Sequence, residues 1–274
     1  GYSSPFADTS SYSRGGTATR RIISDPVFSY TTFESNSASA LFGGGFDMNS
    51  DGTIFAMGSS NTGLVDIYQG STHIGQLSGP QSMYGSFGSS VSLSGNGTRI
   101  AVGSRNTNTV YVYDYDSSSG WIQVGSDITG TGSFGIEVVL SSDGNRLAIG
   151  ASGNFPGKVQ VFDYDSSSGW TQVGSDITLS SSLINDNFGY FNSLDLSDDG
   201  SRIIIGARLL PIDLENGGSN GAVQVFDYDS SSGWNEVGPT IYGENIYDFA
   251  HLTSISGDGN IFAIGGPGYD KSST

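Results

Sequence analysis

The chain has 274 residues, of which 42 are glycine and none is cysteine, and its formal net charge at pH 7 is −17. This charge repels phosphate backbones and anionic lipids, so nucleic acid is not an expected partner, and the absence of cysteine excludes disulfide and thiolate chemistry. No apolar run approaches the roughly 20 residues that span a bilayer, so no membrane insertion is expected.

The first part of the chain lacks the repeat that organises the rest. Thr17–Ile23 and Val27–Phe33 each alternate enough to predict a strand, and Asp25-Pro26 separates them. Because the chain begins at Gly1 rather than Met, we expect it to be processed or excised from a longer protein.

Five units of about fifty residues follow, a period typical of propeller blades. Each begins with Phe-Gly or Phe-Ala, continues through an alternating strand to Asp-Gly or Asn-Gly, and then enters an apolar strand that ends in glycine. The turn glycines are Gly52, Gly97, Gly144, Gly200 and Gly259. Asp-Gly or Asn-Gly between such runs predicts a hairpin with a type I′ turn.

The second, third and fourth units share a further segment of the form Val-Gln-Val-Phe-Asp-Tyr-Asp-Ser-Ser-Ser-Gly-Trp. It covers residues 159–170 and 223–234, and a changed copy covers 110–121. We interpret it as an outer hairpin of each blade, whose tryptophan anchors the strand and has a partner for its indole N–H. The phenylalanine of Phe-Gly is expected to be a plug between blades.

These patterns predict one all-β domain over residues 1–274, a β-propeller of five four-stranded blades. The N-terminal strands would pair with the C-terminal half-blade and so close the ring, which protects strand edges. An open array is the alternative. The expected blades cover residues 42–86, 87–133, 134–187, 188–248, and 249–274 together with 1–41.

The repeat resembles the FG-GAP type of integrin α-subunit propellers, and more closely the related repeats of marine microbial, algal and viral surface proteins. The likeness lies in Phe-Gly, Val-Ser-Leu-Ser at 91–94, Asp-Gly, Ala-Ile-Gly-Ala at 148–151 and Trp-x-x-Val-Gly at 121–125. The resemblance implies an extracellular or surface location, adhesion or binding, and calcium sites in Asp-x-Asp-x-Asp-Gly loops.

Three pairs of aspartates are candidates for such calcium sites, since residues at i and i+2 of an extended chain point the same way and hard cations bind clustered carboxylates. The pairs are Asp114 and Asp116, Asp163 and Asp165, and Asp227 and Asp229. Serine replaces the third acid of the family loop. The alternative is a polar hairpin whose Asp and Ser bond their own backbone. Apart from calcium, no cofactor is expected.

Residues that break the repeat are better functional candidates than those that build it. On the inner strands these are Glu137, Asp195 and Asp47, a carboxylate set that could serve glycoside hydrolysis, and His251, which would approach the central channel. The long connection at residues 207–222 carries an apolar run expected to contact a protein partner or to fold back on its blade: Leu209, Leu210, Pro211 and Ile212.

No catalytic cluster is evident, so the sequence favours a non-enzymatic extracellular module for adhesion or structural assembly, on a cell surface, appendage or virion. Its partners would be proteins of a larger surface assembly. A lectin with repeated glycan sites between blades and a glycoside hydrolase are the alternatives.

Overall fold

The computed structural model shows an all-β protein in the stretches that it describes. These are residues 17–24, 27–34, 42–80, 86–153, 157–178, 194–207, 211–213, 218–219, 221–243 and 252–265. Every regular element in them is a β-strand, and they contain no helix with the length and apolarity to cross a membrane.

The strands are numbered in chain order and fall into antiparallel sheets. A hairpin of β1 (Thr17–Ser24) and β2 (Val27–Glu34) comes first. Blade 1 contains β3 (Phe42–Met48), β4 (Ile54–Ser59), β5 (Leu64–Gln69) and β6 (Thr72–Ser78). Blade 2 contains β7 (Phe87–Leu93), β8 (Arg99–Ser104), β9 (Thr109–Asp116) and β10 (Gly120–Gln123), and β11 (Ile128–Thr129) also pairs with β9.

Blade 3 contains β12 (Glu137–Leu140), β13 (Arg146–Ala151), β14 (Lys158–Asp165) and β15 (Gly169–Gln172). Blade 4 is made of β16 (Leu194–Leu196), β17 (Arg202–Ala207), β20 (Ala222–Asp229) and β21 (Gly233–Tyr242); the two-stranded sheet of β18 (Pro211–Asp213) and β19 (Gly218–Ser219) interrupts it in sequence. Blade 5 is the pair β22 (Leu252–Ile255) and β23 (Phe262–Gly265). The first strand of each blade contacts the first strand of the next.

Each predicted Asp-Gly or Asn-Gly turn lies between the first two strands of a blade, but the turn is not type I′. Only the glycine of each pair has a positive φ, for example 72° at Gly97 and 74° at Gly144. The glycine N–H donates to the carbonyl three residues earlier, as from Gly97 to Ser94 at 2.8 Å. The aspartate or asparagine side chain accepts a backbone N–H two residues later instead of adopting the left-handed region.

Apolar cores between successive blades hold the array together. Phe87, 2% exposed, joins the core of blades 1 and 2, and Phe134, 0% exposed, joins that of blades 2 and 3. The following glycine brings backbones into contact, since a Cβ added to Gly58 would lie 1.9 Å from the carbonyl oxygen of Gly88. Phe87 and Phe134 thus confirm the prediction that the phenylalanine of Phe-Gly packs between blades.

An arginine latch, which the sequence did not predict, also fastens blades 2, 3 and 4 to the blade that follows each of them. Arg146 of blade 3 donates two hydrogen bonds to Asp163, at 2.6 and 2.7 Å, and one to the carbonyl oxygen of Gly200 in blade 4, at 3.0 Å. Its guanidinium lies 4.4 Å from the ring centre of Tyr228, also in blade 4. The equivalent latches contain Arg99 with Asp114 and Arg202 with Asp227.

Closure of a fifth four-stranded blade is not confirmed. Within the described part of the chain β1 pairs with β2, β22 pairs with β23, and no strand pairing joins the two hairpins. Ile261 and Phe262 of blade 5 are 72% and 41% exposed. Alternation in the sequence predicts a hairpin, but a hairpin satisfies its own inner hydrogen bonds and does not specify which sheet edge it joins.

Candidate functional site

The inner strands of the five blades converge on a polar pocket, which we call the axial pocket. Its volume is about 340 Å³. One residue from the first strand of each of the first four blades lines its wall. These four residues are at equivalent positions, because each is paired with the corresponding residue of the second strand of its blade. These wall residues are Asp47, Ser92, Val139 and Asp195.

Asp47 of blade 1 binds the backbone of blade 2. Its carboxylate accepts the N–H of Leu93 at 2.7 Å and the N–H of Met48 at 2.8 Å, and the hydroxyl of Ser92 also bonds it. Burial nevertheless raises the pKa of Asp47 above its ordinary value of 3.8, because desolvation outweighs these hydrogen bonds.

Asp195 of blade 4 repeats this arrangement toward blade 5. Its carboxylate accepts the N–H of Ile255 at 2.8 Å, the hydroxyl of Ser254 at 3.1 Å and the N–H of Leu196 at 2.9 Å. Burial raises the pKa of Asp195 as well, and the negative charge of Asp198 adds a smaller contribution.

Blade 2 makes the same contact to its neighbour without a charge. The hydroxyl oxygen of Ser92 accepts the N–H of Leu140 in blade 3 at 3.0 Å. Serine at this position therefore suffices to join two blades, so the structural contact alone does not require the aspartates at 47 and 195.

The axial pocket brings together the three acidic residues that the sequence selected because they break the repeat. Glu137 lies on β12, opposite Gly150, is 9% exposed and lines the pocket beside Asp47 and Asp195. Among the described residues, no group of three or more histidine, cysteine or acidic side chains has the geometry to hold a metal ion.

A chain of backbone hydrogen bonds crosses the blades at the turns that follow the inner strands. The N–H of Ser50 donates to Gly95, that of Gly95 to Ser142, that of Ser142 to Asp198 and that of Asp198 to Gly257, at 2.8 to 3.1 Å. All five residues line the axial pocket. Asp198 was missed by the sequence analysis. It could have been found from the repeat, because its counterparts in the other units are serine or glycine and Asp198 breaks that pattern.

The three Asp-x-Asp pairs have protein partners in the structure. The first member of each binds the latch arginine of its own blade: Asp114, Asp163 and Asp227. The second member accepts hydrogen bonds from the serines of the next turn, which lower the carboxyl pKa: Asp116, Asp165 and Asp229. Both carboxylate oxygens of each first member accept hydrogen bonds from an arginine, and this favours the polar-hairpin interpretation of these pairs. Calcium binding stays a prediction.

Other predicted contact residues fall elsewhere. Pro211 and Ile212 belong to strand β18, which pairs with β19, so this part of the connection is a short ribbon rather than a loop. Leu209, Leu210 and His251 lie outside the described residues.

Comparison with solved structures finds the same fold in proteins of low sequence identity. One is a candidate 6-phosphogluconolactonase from Bacteroides fragilis, 13% identical, with a TM-score of 0.56 over 84% of this chain and 66% of that chain. A second candidate 6-phosphogluconolactonase, from Bacteroides uniformis, is 12% identical, with a TM-score of 0.53 over 84% and 69%. The Dos1 propeller is 14% identical, with a TM-score of 0.51 over 82% and 53%.

These similarities confirm an all-β propeller, and at 12–14% identity they show the fold alone. The chain spans about two thirds of the length of the first two structures that it matches, 66% in each case. No family model matches the chain. A search of curated proteins finds no match either.

The expectation of a non-enzymatic adhesion or assembly module is corrected by this comparison. Two of the first structures that match are named for an enzymatic activity, so the comparison gives no support to a non-enzymatic assignment, and at 12–13% identity the likeness itself shows the fold alone. The sequence offered a hydrolase only as an alternative, because its candidate carboxylates lie in separate blades and line one pocket only after the blades pack.

Proposed function

We propose that this chain is an enzyme-like propeller that binds a small polar molecule in its axial pocket and hydrolyses it with carboxylate assistance. One observation carries the proposal: Asp47 and Asp195 place carboxyl groups of raised pKa at one pocket, at positions where Ser92 makes the same contact between blades without a charge. A raised pKa brings a carboxylate closer to the range in which a general base works well near neutral pH.

The reaction class that fits is hydrolysis of a lactone, the activity in the names of two structural neighbours. An ionised aspartate removes a proton from water while the water oxygen attacks the ring carbonyl carbon. The bond from that carbon to the ring oxygen then breaks, and the ring oxygen takes up the proton. The product is the open-chain hydroxy acid, and the aspartate is restored. Each carboxylate retains acceptor sites beyond its backbone bonds, which can hold substrate hydroxyls.

The charge of the pocket favours an unphosphorylated substrate. Asp47, Glu137, Asp195 and Asp198 line it, and its described lining contains no lysine, arginine or histidine. A phosphate group would meet repulsion rather than an ion pair. We therefore propose a neutral sugar lactone as the substrate class.

The test is hydrolysis of D-glucono-1,5-lactone, followed by proton release with a pH indicator. The wild-type chain should exceed the spontaneous rate, and Asp47→Ser and Asp195→Ser should each lower kcat/KM at least tenfold, about 1.4 kcal/mol of transition-state stabilisation. Asp127→Asn, which removes an exposed carboxylate from the outer face, is the matched control. A wild-type rate equal to the buffer rate, or full activity in both serine variants, would overturn the proposal.

We also propose that β1 and β2 complete blade 5, as in a closed five-bladed member of the FG-GAP type. The third strand of blade 1, β5, contacts β7, the first strand of blade 2. In the same way β1 contacts β3, the first strand of blade 1, as the third strand of a preceding blade would. The chain lacks cysteine, so Ala263→Cys can be combined with single cysteines along β1. A disulfide should form in one register. If none forms while a control pair at Thr253 and Ile264, which are partners across blade 5, is crosslinked, closure is excluded.

A further inference from the structure

Asp198 differs in chemistry from the residues at the equivalent position of the other blades, which line the axial pocket with it. At its turn position the other blades carry Ser50, Gly95, Ser142 and Gly257, and backbone hydrogen bonds connect the five residues in series. Asp198 is thus the one ionisable side chain in this series. Because the series lies on the pocket lining, a charge there acts on any ligand that occupies the pocket.

Gly257 of blade 5 leaves room for the Asp198 carboxylate, because it has no side chain. A Cβ built on Gly257 would lie 2.3 Å from Oδ2 and 2.6 Å from Cγ of Asp198. The side chain therefore fills the space that a residue with a Cβ would take in blade 5. It extends across the blade boundary, toward the blade whose Ile255 N–H is bound by Asp195.

We infer that Asp198 determines which substrate charge the axial pocket accepts, favouring neutral and cationic ligands over anionic ones; this inference rests on the proposed function. The carboxylate lies close enough to Asp195 for their charges to interact. An anionic ligand that reaches Asp195 must therefore approach Asp198 as well. Unit charges a few ångströms apart change an equilibrium constant about fivefold in water and more in a partly desolvated pocket.

The test compares kcat/KM for D-glucono-1,5-lactone and its 6-phosphate in the wild type and in Asp198→Ser, which installs the residue that blades 1 and 3 carry. We expect the wild type to prefer the neutral lactone and the variant to lower that preference about tenfold. Ser142→Asp should strengthen the preference by adding a second charge to the series. Asp127→Asn changes the net charge by the same amount on the outer face and should leave the preference unchanged.

Two further measurements do not depend on turnover. Titration calorimetry with 6-phosphogluconate at low salt should detect tighter binding to Asp198→Ser than to the wild type, with a difference that shrinks as salt rises. NMR of the Asp195 carboxyl carbon should show its pKa falling in the variant. If the wild type hydrolyses neither lactone, the proposed function fails while these measurements still decide the role of Asp198. Unchanged anion binding together with an unchanged Asp195 pKa would overturn the inference.

Discussion

The carboxylate of Asp195 in blade 4 accepts the backbone N–H of Ile255 in blade 5 at 2.8 Å. The same carboxylate lines the axial pocket and has a raised pKa. One side chain thus joins two blades and, in the proposed function, supplies a group for chemistry. The two roles are separable, because a serine hydroxyl can perform the first and not the second.

The joining role predicts a difference between two substitutions of Asp195. Asp195→Ala leaves the Ile255 N–H without its acceptor, whereas Asp195→Ser can retain the bond as Ser92 does for Leu140. Urea unfolding should show the alanine variant to be less stable than the serine variant by about 1–2 kcal/mol. Equal stability of the two variants would show that the contact contributes nothing.

The raised pKa values of Asp47 and Asp195 predict a dependence of stability on pH. Since the folded chain holds these protons more tightly than the unfolded chain, their contribution is fully present below about pH 3.8 and is lost as pH rises through the folded values. The double variant Asp47→Ser/Asp195→Ser avoids that loss. Its melting temperature relative to the wild type should therefore increase from about pH 3.8 to pH 7. A constant or falling difference would contradict the assignment.

The arginine latch predicts coupling between Arg146 and Tyr228, whose ring centre lies 4.4 Å from the guanidinium. A double-mutant cycle of Arg146→Lys and Tyr228→Leu should give a coupling free energy of about 0.5–1 kcal/mol. Arg99→Lys is the control: its guanidinium lies 4.5 Å from the ring centre of Tyr164, in blade 3, rather than over Tyr228. Its effect should therefore add to that of Tyr228→Leu. If the effects are additive in both cycles, the stacking of Arg146 on Tyr228 contributes no measurable coupling free energy.

The tryptophans differ in a way that phenylalanine substitutions can measure. The indole N–H of Trp170 donates to Val124 at 3.3 Å and that of Trp234 to Val173 at 3.2 Å, whereas the buried N–H of Trp121 has no acceptor among the described residues. Thermal unfolding should show Trp121→Phe to be less destabilising than the other two by about 1 kcal/mol. A larger loss at Trp121 would indicate an acceptor there.

Features set by local chain chemistry were predictable from the sequence. The Asp-Gly and Asn-Gly pairs identified the inner hairpins, and the segment ending in Trp170 identified an outer one, because turn residues and alternation act within a few residues. The turn type was predicted wrongly, since the aspartate side chain satisfies the backbone without a positive φ. The Arg146 latch was missed although its arginine recurs at the same place in three units.

Features that depend on how the blades pack were harder to predict from the sequence. The break in the repeat selected Asp47, Glu137 and Asp195, yet only packing puts them at one pocket. Asp198 was missed because its importance comes from Gly257, 59 residues later in the chain and adjacent in space. The predicted pairing of the N-terminal hairpin with blade 5 is not confirmed either, since strand alternation carries no information about which edge a hairpin joins.

The most direct measurement is kcat/KM of the Asp47→Ser/Asp195→Ser double variant on D-glucono-1,5-lactone, with the melting temperature taken on the same sample. If the carboxylates act on a substrate, kcat/KM should fall at least a hundredfold while the fold melts no lower than the wild type at pH 7. An active double variant, or a wild-type chain that never exceeds the spontaneous rate, would contradict an enzymatic role for the axial pocket.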